Sequence, residues 1–477
     1  MRQLSAREAA LLRAETPTNL GHSSVYTVVD PSESSDFGFE RLCTLVEGRL
    51  GLVPELRSRL REVPLRLDRP WWEDDDRFDL SYHLRHIGVP SSGSGDMEAA
   101  LIARVHERPL NRDRPLWELY LIDRPDGTAG IFVKVHHVLV DGVTGLDLVT
   151  PLTADLAADV AVGSGDDGEH APQWRAARPV SDQQLLSQAT WSQLRSPVRW
   201  GRFGVSLARN IPVVGPQILP SLAAQWAAPT GDVEVDVGEL VAPRLPFNRT
   251  LSASRKVSLT SLSIADLREI RKSHGARFND VLLAVVGGGL RRWLQDQGEL
   301  PAEQLVALAP LLVNSDDQPL GTALVGLATD KDDPVDRLEI IGTQMDELLD
   351  SVDAHSVDTI RRLHQASPAV AAMVSRLLAR TGSASRFHPP FNVVVVSVPG
   401  EEDQSDVLGA PVMHRYSLPA LIDGTGLSIC VISQAESVDL CLIADRELID
   451  DLDPLARAMV DEVTALVGRT PEQFSPT

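Results

Sequence analysis

Cysteine is scarce in this sequence, and the few cysteines form no pattern. Cys43, Cys430 and Cys441 are the only three in a chain of 477 residues. So odd and sparse a set excludes a disulfide framework and is typical of a protein kept in a reducing cytoplasm. None of the three stands in a segment that resembles the surroundings of a catalytic nucleophile.

Long apolar runs are missing as well. No stretch approaches the roughly 18 consecutive apolar residues that cross a bilayer, so we expect no transmembrane helix. Charged residues, rather than an apolar segment, follow Met1–Ser5, and we therefore expect no signal peptide. These absences predict a cytoplasmic location, which leaves open a peripheral association with the inner membrane or with lipid inclusions.

Basic residues are in the minority. The chain has 45 Lys and Arg against 67 Asp and Glu, for a net charge of -22. Such a balance excludes a general nucleic-acid binder, although it leaves room for a local basic site. The length is enough for two or three domains with a large core.

What the sequence does contain is a histidine pair at the end of an apolar run. The segment from Lys134 to Gly142 reads Lys-Val-His-His-Val-Leu-Val-Asp-Gly. The β-branched run before it predicts a buried strand, and Asp-Gly predicts a tight turn. Histidine has a pKa near neutrality and can remove the proton from a hydroxyl nucleophile. Because strand side chains alternate, only one of His136 and His137 can face a given cavity.

Other interpretations of the pair are open. A histidine at the end of a strand often does no more than satisfy buried hydrogen bonds. A zinc site would find at most three ligands in His136, His137 and Asp141, with no cysteine nearby and no histidine four residues on. We therefore expect no metal. The acidic run at 73–76 is interpreted as a solvated loop rather than a metal site.

Further motifs accompany the histidine pair in a fixed order. They are Trp71-Trp72, Phe78-Asp79-Leu80, Pro115-Leu116-Trp117, Phe278-Asn279-Asp280-Val281 and Val398-Pro399-Gly400. Together with His-His-x-x-x-Asp-Gly, they resemble the wax ester synthase/diacylglycerol acyltransferase family, within the CoA-dependent acyltransferase superfamily. The resemblance covers most of the chain.

The resemblance implies an α/β fold of the α+β type, similar to chloramphenicol acetyltransferase: two mixed-sheet domains with the active site at their interface. It implies acyl-CoA as a co-substrate, a lipid alcohol as the acceptor and no further cofactor. His137 would be the general base of a direct transfer without an acyl-enzyme, and His136 would support it. Asp141 and Gly142 would shape the turn.

The other matched residues have expected roles too. Asn279, at the start of a predicted helix, would donate to the oxyanion of the tetrahedral intermediate or would simply cap the helix. Asp280 would orient its neighbours at the substrate site. Pro115, Leu116 and Trp117 would line the substrate tunnel or be structural. Nine basic residues oppose three acidic ones between Arg249 and Arg292, and such a patch would attract the phosphates of CoA.

The predicted domains are 1–162, which carries the histidine pair, and 241–477. Between them lies a linker and crossover segment, 163–240, that begins with a polar, glycine-rich stretch. Within it, residues 183–231 contain no acidic residue. This segment would rest on a lipid surface or pack against the second domain, and Pro197, Pro212, Pro216 and Pro220 favour the latter.

The second half departs from the family pattern in places. Ser397 stands before Val-Pro-Gly where the family usually has Asn, Thr322 also replaces a frequent Asn, and 310–315 lacks an expected Arg. The leading hypothesis is a triacylglycerol- or wax-ester-forming O-acyltransferase. The alternatives are a secondary-metabolism or condensation-type acyltransferase and a catalytically weak, lipid-binding paralogue.

Overall fold

The computed structural model describes residues 2–64, 67–90, 96–139, 181, 183–184, 187, 240–311, 321–350, 389, 391–398 and 406–468. Two large mixed sheets dominate this part of the chain. The first contains β2 (His22–Val29), β5 (Leu84–Gly88), β6 (Trp117–Asp123), β7 (Ala129–His136), β12 (Asp406–Val407) and β13 (Ala410–Leu418). Its strand order is β12-β13-β2-β7-β6-β5, and only β5 and β6 pair in parallel.

The second sheet is built from the second half of the chain. It contains β8 (Arg255–Ser263), β9 (Val306–Leu311), β10 (Gly321–Gly326), β11 (Val393–Val398), β14 (Leu427–Ser433) and β15 (Ser437–Asp445). The order is β10-β9-β11-β14-β15-β8, with β11 parallel to both of its neighbours. The predicted mixed-sheet architecture is confirmed.

A small third sheet corrects one prediction. It pairs β1 (Arg2–Gln3) and β3 (Ser58–Arg61) with β4 (Trp71–Asp74). The acidic run at 73–76 therefore begins inside a strand and is not a solvated loop: Glu73 and Asp75 are buried. Arg59 lies 3.0 Å from Glu73 and 3.6 Å from Asp75, and this cation is what permits their burial.

The helices lie mostly where apolar spacing predicted them. They are α1 (Ala6–Ala14), α2 (Phe39–Arg49), α3 (Leu80–His83), α4 (Asp96–Glu107), α5 (Ile264–His274), α6 (Phe278–Asp296), α7 (Pro334–Asp350) and α8 (Asp453–Val467). Ser263 caps α5, which ends at a left-handed Gly275. The apolar spacing from Phe39 to Leu60 predicts a helix throughout, but α2 ends at Arg49, and a turn, the short 3-10 helix Pro54–Arg57 and the strand β3 follow.

Three apolar layers cover the faces of the two large sheets. One lies between the first sheet and α2, and another lies between the second sheet and α5 to α8. The third lies between the two sheets and includes α4 and the buried pair Cys430 and Cys441. Both faces of each sheet are thus covered, which explains why their central strands are apolar on both sides.

One strand links the two halves. β13 comes from the second half of the sequence, yet it pairs antiparallel with β2 of the first sheet, with Tyr416 opposite Tyr26. The two tyrosine rings stack 6.4 Å apart. The two halves of the chain are therefore joined by backbone hydrogen bonds within the first sheet, as well as by apolar packing between the two large sheets.

The three consecutive glycines of α6 show why that helix tolerates them. A Cβ on Gly287 would lie 2.5 Å from the backbone oxygen of Leu327, and Gly289 packs in the same way against Met459 of α8. Neighbouring backbone occupies the space that a side chain would need.

We predict that Gly287→Ala destabilises the protein by about 1–3 kcal/mol, because the backbone at Leu327 must move away. Gly48→Ala is the matched control, since Gly48 lies on an exposed turn of α2 with open space around it. That change should instead stabilise by about 0.5–1 kcal/mol through helix propensity. Urea denaturation of both variants measures the difference, and equal effects would contradict the packing explanation.

Candidate active site

The histidine pair lies where β7 ends. The strand stops at His136, and His137 begins the turn that follows. The backbone N–H of His137 donates to the carbonyl of Gly21 at 2.9 Å, and that of His136 donates to Leu116 at 3.0 Å. The predicted strand is present, and a turn at 137–139 follows it, whereas the predicted Asp-Gly turn lies beyond the described residues. Asp141 and Gly142 lie outside the described residues, so their role stays a prediction.

Both ring nitrogens of His136 face the protein. It is buried, and its Nδ1 accepts the backbone N–H of Val138 at 3.1 Å. Because Nδ1 acts as an acceptor, the ring N–H stands at Nε2. That atom lies 3.4 Å from a carboxylate oxygen of Glu15. With both nitrogens directed at the protein, His136 supports the turn and is poorly placed to meet a substrate.

Glu15 is a site residue that the sequence did not reveal. Its carboxylate also accepts from Arg112, whose Nε lies 3.1 Å away and whose Nη2 further donates to the carbonyl of Leu12 at 2.9 Å. Burial alone would raise the pKa of Glu15, but His136 and Arg112 outweigh it and lower the pKa to about 2. Glu15 is thus a permanent anion beneath the histidine turn.

Gly21 makes this arrangement sterically feasible. A Cβ at position 21 would overlap Nε2 of His136 and would lie 3.2 Å from the carboxyl carbon of Glu15. Only glycine leaves room for the imidazole and the carboxylate to approach each other here. Its carbonyl meanwhile binds the backbone of His137, so Gly21 contacts both histidines of the pair.

His137 is more exposed than His136, and its pKa is lowered. It is partly exposed rather than buried. Its desolvated environment lowers its pKa to about 4, with the nearby His136 adding to the effect and Glu15 partly offsetting it. His137 is therefore neutral at physiological pH and can accept a proton.

A buried polar layer lies beside the pair. Lys134 and His136 of β7 point to the same face as His22 and Ser24 of β2, which stand opposite them. Lys134 donates to the carbonyl of Val105 at 2.9 Å, near the end of α4. Burial lowers the pKa of Lys134 to about 8.

His106 of α4 completes this layer. Its Nδ1 lies 2.9 Å from the hydroxyl of Ser24, and its carbonyl lies 2.7 Å from Nε2 of His22. Burial is the main cause that holds the pKa of both histidines well below the usual range, and the charge of Lys134 contributes. Both rings are neutral at physiological pH.

We predict that these neutral histidines make the fold sensitive to mild acid. In His22, His106, His83 and His137 the folded pKa is lowered, so below pH 6.5 the unfolded chain binds more protons than the folded one. The free energy of unfolding should therefore fall from pH 7 to pH 5.5, by about 1 kcal/mol per histidine.

Denaturant titrations at several pH values measure this dependence. Glu8 and Glu15, each with a pKa of about 2, contribute stability that is lost only below about pH 4.5. The loss of stability caused by these carboxylates therefore occurs at lower pH than the loss caused by the histidines. A stability that stays constant between pH 7 and pH 5.5 would contradict the neutral-histidine assignment.

The segment Pro115-Leu116-Trp117 leads into β6 and is buried. The ring of Trp117 stacks on His83 with centroids 4.5 Å apart, and its Nε1 donates to the carbonyl of Leu56 at 2.8 Å. Leu116 shares an apolar cluster with Val138 of the histidine turn. These contacts explain a structural role for all three residues, and a tunnel-lining role stays a prediction.

Asn279 and Asp280 lie in the first turn of α6. The expectation that Asn279 caps this helix was wrong: the helix begins at Phe278 with Arg277 as its cap. Asp280 accepts the backbone N–H of Arg277 at 3.2 Å, and its pKa is raised by burial despite that cation. Within the described part of the chain, the buried amide nitrogen of Asn279 has no hydrogen-bond partner. It is free to donate to a ligand.

The basic segment 249–292 is less available to an anion than its composition indicated. Arg255 is buried beside Asp445, and three others pair with carboxylates of the protein. These three are Arg277 with Asp280, Arg291 with Asp332 and Arg292 with Asp461. A role in binding CoA phosphates therefore falls to the other basic residues of the segment and stays a prediction.

Similar folds are known among solved structures. The chain aligns with the wax ester synthase/diacylglycerol acyltransferase from Marinobacter aquaeolei VT8 with a TM-score of 0.67 at 21% identity, covering 98% of this chain and 100% of the other. It aligns with the first condensation domain of the calcium-dependent antibiotic synthetase with a TM-score of 0.56 at 16% identity, covering 100% and 99%. The chain has the fold that these two classes, wax ester synthase/diacylglycerol acyltransferases and condensation domains, share.

Sequence comparison identifies the family among proteins of this fold. The model of the wax ester synthase/diacylglycerol acyltransferase catalytic domain matches residues 4–282, and that of the family's C-terminal domain matches 319–466. The chain belongs to the wax ester synthase/diacylglycerol acyltransferase family and is an O-acyltransferase.

Relatives from Mycobacterium tuberculosis agree with this assignment. A protein named as a putative diacylglycerol O-acyltransferase is 26% identical over 483 residues, covering 99% of this chain and 91% of its own. A probable diacylglycerol O-acyltransferase, tgs2, is 28% identical over 444 residues and covers 89% of each chain.

Proposed function

We propose that this enzyme transfers the acyl group of acyl-CoA to the hydroxyl of a lipid alcohol, forming triacylglycerol from diacylglycerol or wax ester from a long-chain alcohol. The observation that carries the mechanism is the contrast within the histidine pair. Nδ1 of His136 accepts the backbone N–H of Val138 and its Nε2 faces Glu15 at 3.4 Å inside the protein, whereas His137 is partly exposed and neutral. His137 is therefore the general base.

The reaction needs one proton acceptor and no external reagent. His137 removes the proton of the acceptor hydroxyl while its oxygen attacks the thioester carbonyl. The tetrahedral intermediate collapses, the carbon–sulfur bond breaks, and the imidazolium returns the proton to the CoA thiolate. The ester and free CoA then dissociate, and His137 is neutral again. The proposed cycle is a direct transfer from acyl-CoA to the alcohol, and it needs no acyl-enzyme.

The oxyanion of the intermediate needs donors that are already in place. Asn279 is the proposed donor, because its amide nitrogen is buried and without a partner among the described residues. It lies in the first turn of α6, where the helix dipole favours negative charge. Asp280, bound to Arg277, orients the start of this helix.

The lipid substrate raises the question of a lipid surface. Across the described residues, no helix is long and apolar enough to cross a bilayer. We propose peripheral contact with the inner membrane or lipid inclusions through residues 183–231, which lie almost entirely outside the described structure. Flotation with anionic and neutral vesicles, using the full chain and a variant without 183–231, tests this. Equal flotation of both would contradict it.

Transfer of labelled palmitate tests the proposed activity. Purified enzyme receives labelled palmitoyl-CoA with diacylglycerol or with hexadecanol, and the labelled ester is separated by thin-layer chromatography. Ester formed with one alcohol at least tenfold faster than with the other identifies the preferred acceptor. A folded enzyme that binds palmitoyl-CoA but forms no ester with either alcohol would contradict the proposal and favour a lipid-binding role.

A further inference from the structure

Arg255 connects the second half of the chain to the loop that holds the histidine pair. It is the first residue of β8 and is buried. Its Nη1 donates to the carbonyls of Ser252 at 2.7 Å and Ser254 at 3.1 Å, within its own half. Its Nη2 crosses to the first half and donates to the carbonyl of Thr18. One planar group thus binds both halves.

The cation is anchored by an equally buried acid. Asp445 lies 3.8 Å from the Arg255 guanidinium and accepts the hydroxyl of Ser252 at 2.8 Å and the backbone N–H of Glu447 at 2.9 Å. The backbone N–H of Arg255 donates to Glu107 at the end of α4. A buried guanidinium is stable only while such partners stay in place, so its position is narrowly defined.

Thr18 lies in the middle of the segment that carries the contacts to both histidines. Glu15, on one side of it, pairs with Nε2 of His136. Gly21, on the other side, accepts the backbone N–H of His137 at 2.9 Å. The segment from Glu15 to Gly21, here named the Glu15–Gly21 loop, therefore transmits any displacement of its centre to both histidines.

We propose that Arg255 is a positioning residue, which docks the second half of the enzyme on the Glu15–Gly21 loop and thereby holds the histidine turn in its productive place. The inference rests on the proposed role of His137. It also explains why a costly buried cation stands at this contact between the two halves. Small displacements of a base can cost up to about a hundredfold in rate.

Arg337 offers a matched control. It too is a buried arginine of the second half, with Nη2 2.6 Å from the carboxylate of Glu462 and Nη1 2.5 Å from the carbonyl of Lys331. Its described partners all lie in the second half. Replacing either arginine by lysine disturbs a buried ion pair, but only Arg255 reaches the Glu15–Gly21 loop.

The experiment compares Arg255→Lys and Arg337→Lys in the full-length protein. Amide hydrogen exchange is measured on peptides that cover 15–22 and 133–139, together with kcat and KM for palmitoyl-CoA. We expect faster exchange in both peptides for Arg255→Lys alone, with kcat lowered about tenfold and KM within about twofold of the wild type. Arg337→Lys should lower the melting temperature but leave these peptides and kcat unchanged.

Three outcomes would overturn the inference. They are unchanged exchange at 15–22 in Arg255→Lys, equal changes in both variants, or faster exchange with an unaltered kcat. If Arg255→Lys fails to fold, Ser252→Ala can replace it, because it removes one hydrogen bond to Asp445. It should speed up exchange in the same two peptides and lower kcat, both to a smaller extent. Hydrogen exchange can be measured without catalytic turnover. An inactive wild-type enzyme would therefore contradict the proposed function, while the exchange data would still test whether Arg255 holds the Glu15–Gly21 loop.

Discussion

Replacing His137 with alanine is expected to lower kcat for acyl transfer by about 1,000-fold, because the acceptor hydroxyl loses its general base. His137 lies in the turn after β7 rather than inside the strand, so the fold should persist. Steady-state rates with palmitoyl-CoA and the better acceptor measure the effect, and circular dichroism and palmitoyl-CoA binding show that the site is intact.

His136→Asn tests whether the two histidines have different roles. Asparagine can accept the backbone N–H of Val138 in place of Nδ1, but it does not reach Glu15 as the imidazole does. We expect a smaller loss of kcat than for His137→Ala, accompanied by a lower stability. A larger loss of kcat in a well-folded His136 variant would reverse the roles of the two histidines.

The sequence predicted the histidine pair and its strand because both signals are local. A β-branched run followed by a turn defines the end of β7 within a few residues, and the hairpin with β6 closes around the turn at 125–127. The apolar spacing of α7 and α8, and Pro454 at the start of α8, are local signals of the same kind. Such features depend only on residues that are close to each other in the sequence.

Glu15 and Arg255 could not be predicted, because their roles depend on distant partners. Glu15 follows a polar helix and resembles any surface acid until Arg112 and His136 are brought beside it by the fold. The same holds for the exchanged strand β13, whose partner β2 lies far away in the sequence. Sequence pattern identifies what a residue can do, and the fold decides which residue it meets.

The helix start at Asn279 shows a subtler limit. Asparagine is a good capping residue, so the pattern favoured Asn279 as the cap. The structure instead caps with Arg277 and Asp280, which share a backbone hydrogen bond and an ion pair at 3.2 Å. The shift leaves the Asn279 side chain buried with an uncommitted amide, which is the state that an oxyanion donor requires.

Glu15→Gln is the second change for which we expect a large effect. Glutamine has the shape of glutamate but no charge, so Arg112 loses its anion and the Nε2 proton of His136 loses its charged acceptor. We expect kcat to fall by about 10- to 100-fold, as is typical when a partner that orients an imidazole is removed. The negative charge of Glu15 also raises the pKa of His137. Without it, that pKa falls, and the acid limb of the pH profile of kcat/KM moves to lower pH.

Glu8→Gln separates this effect from a general loss of stability. Glu8 also belongs to the N-terminal helix region, and its pKa is likewise about 2, but its partners are Arg2, Ser5 and Trp72 rather than a histidine. Its replacement should reduce stability while leaving kcat and the pH profile as in the wild type. If Glu15→Gln lowers kcat without moving the acid limb, the carboxylate supports packing only. If the limb moves to higher pH, the electrostatic assignment of His137 is wrong, because removing an anion cannot stabilise its protonated form.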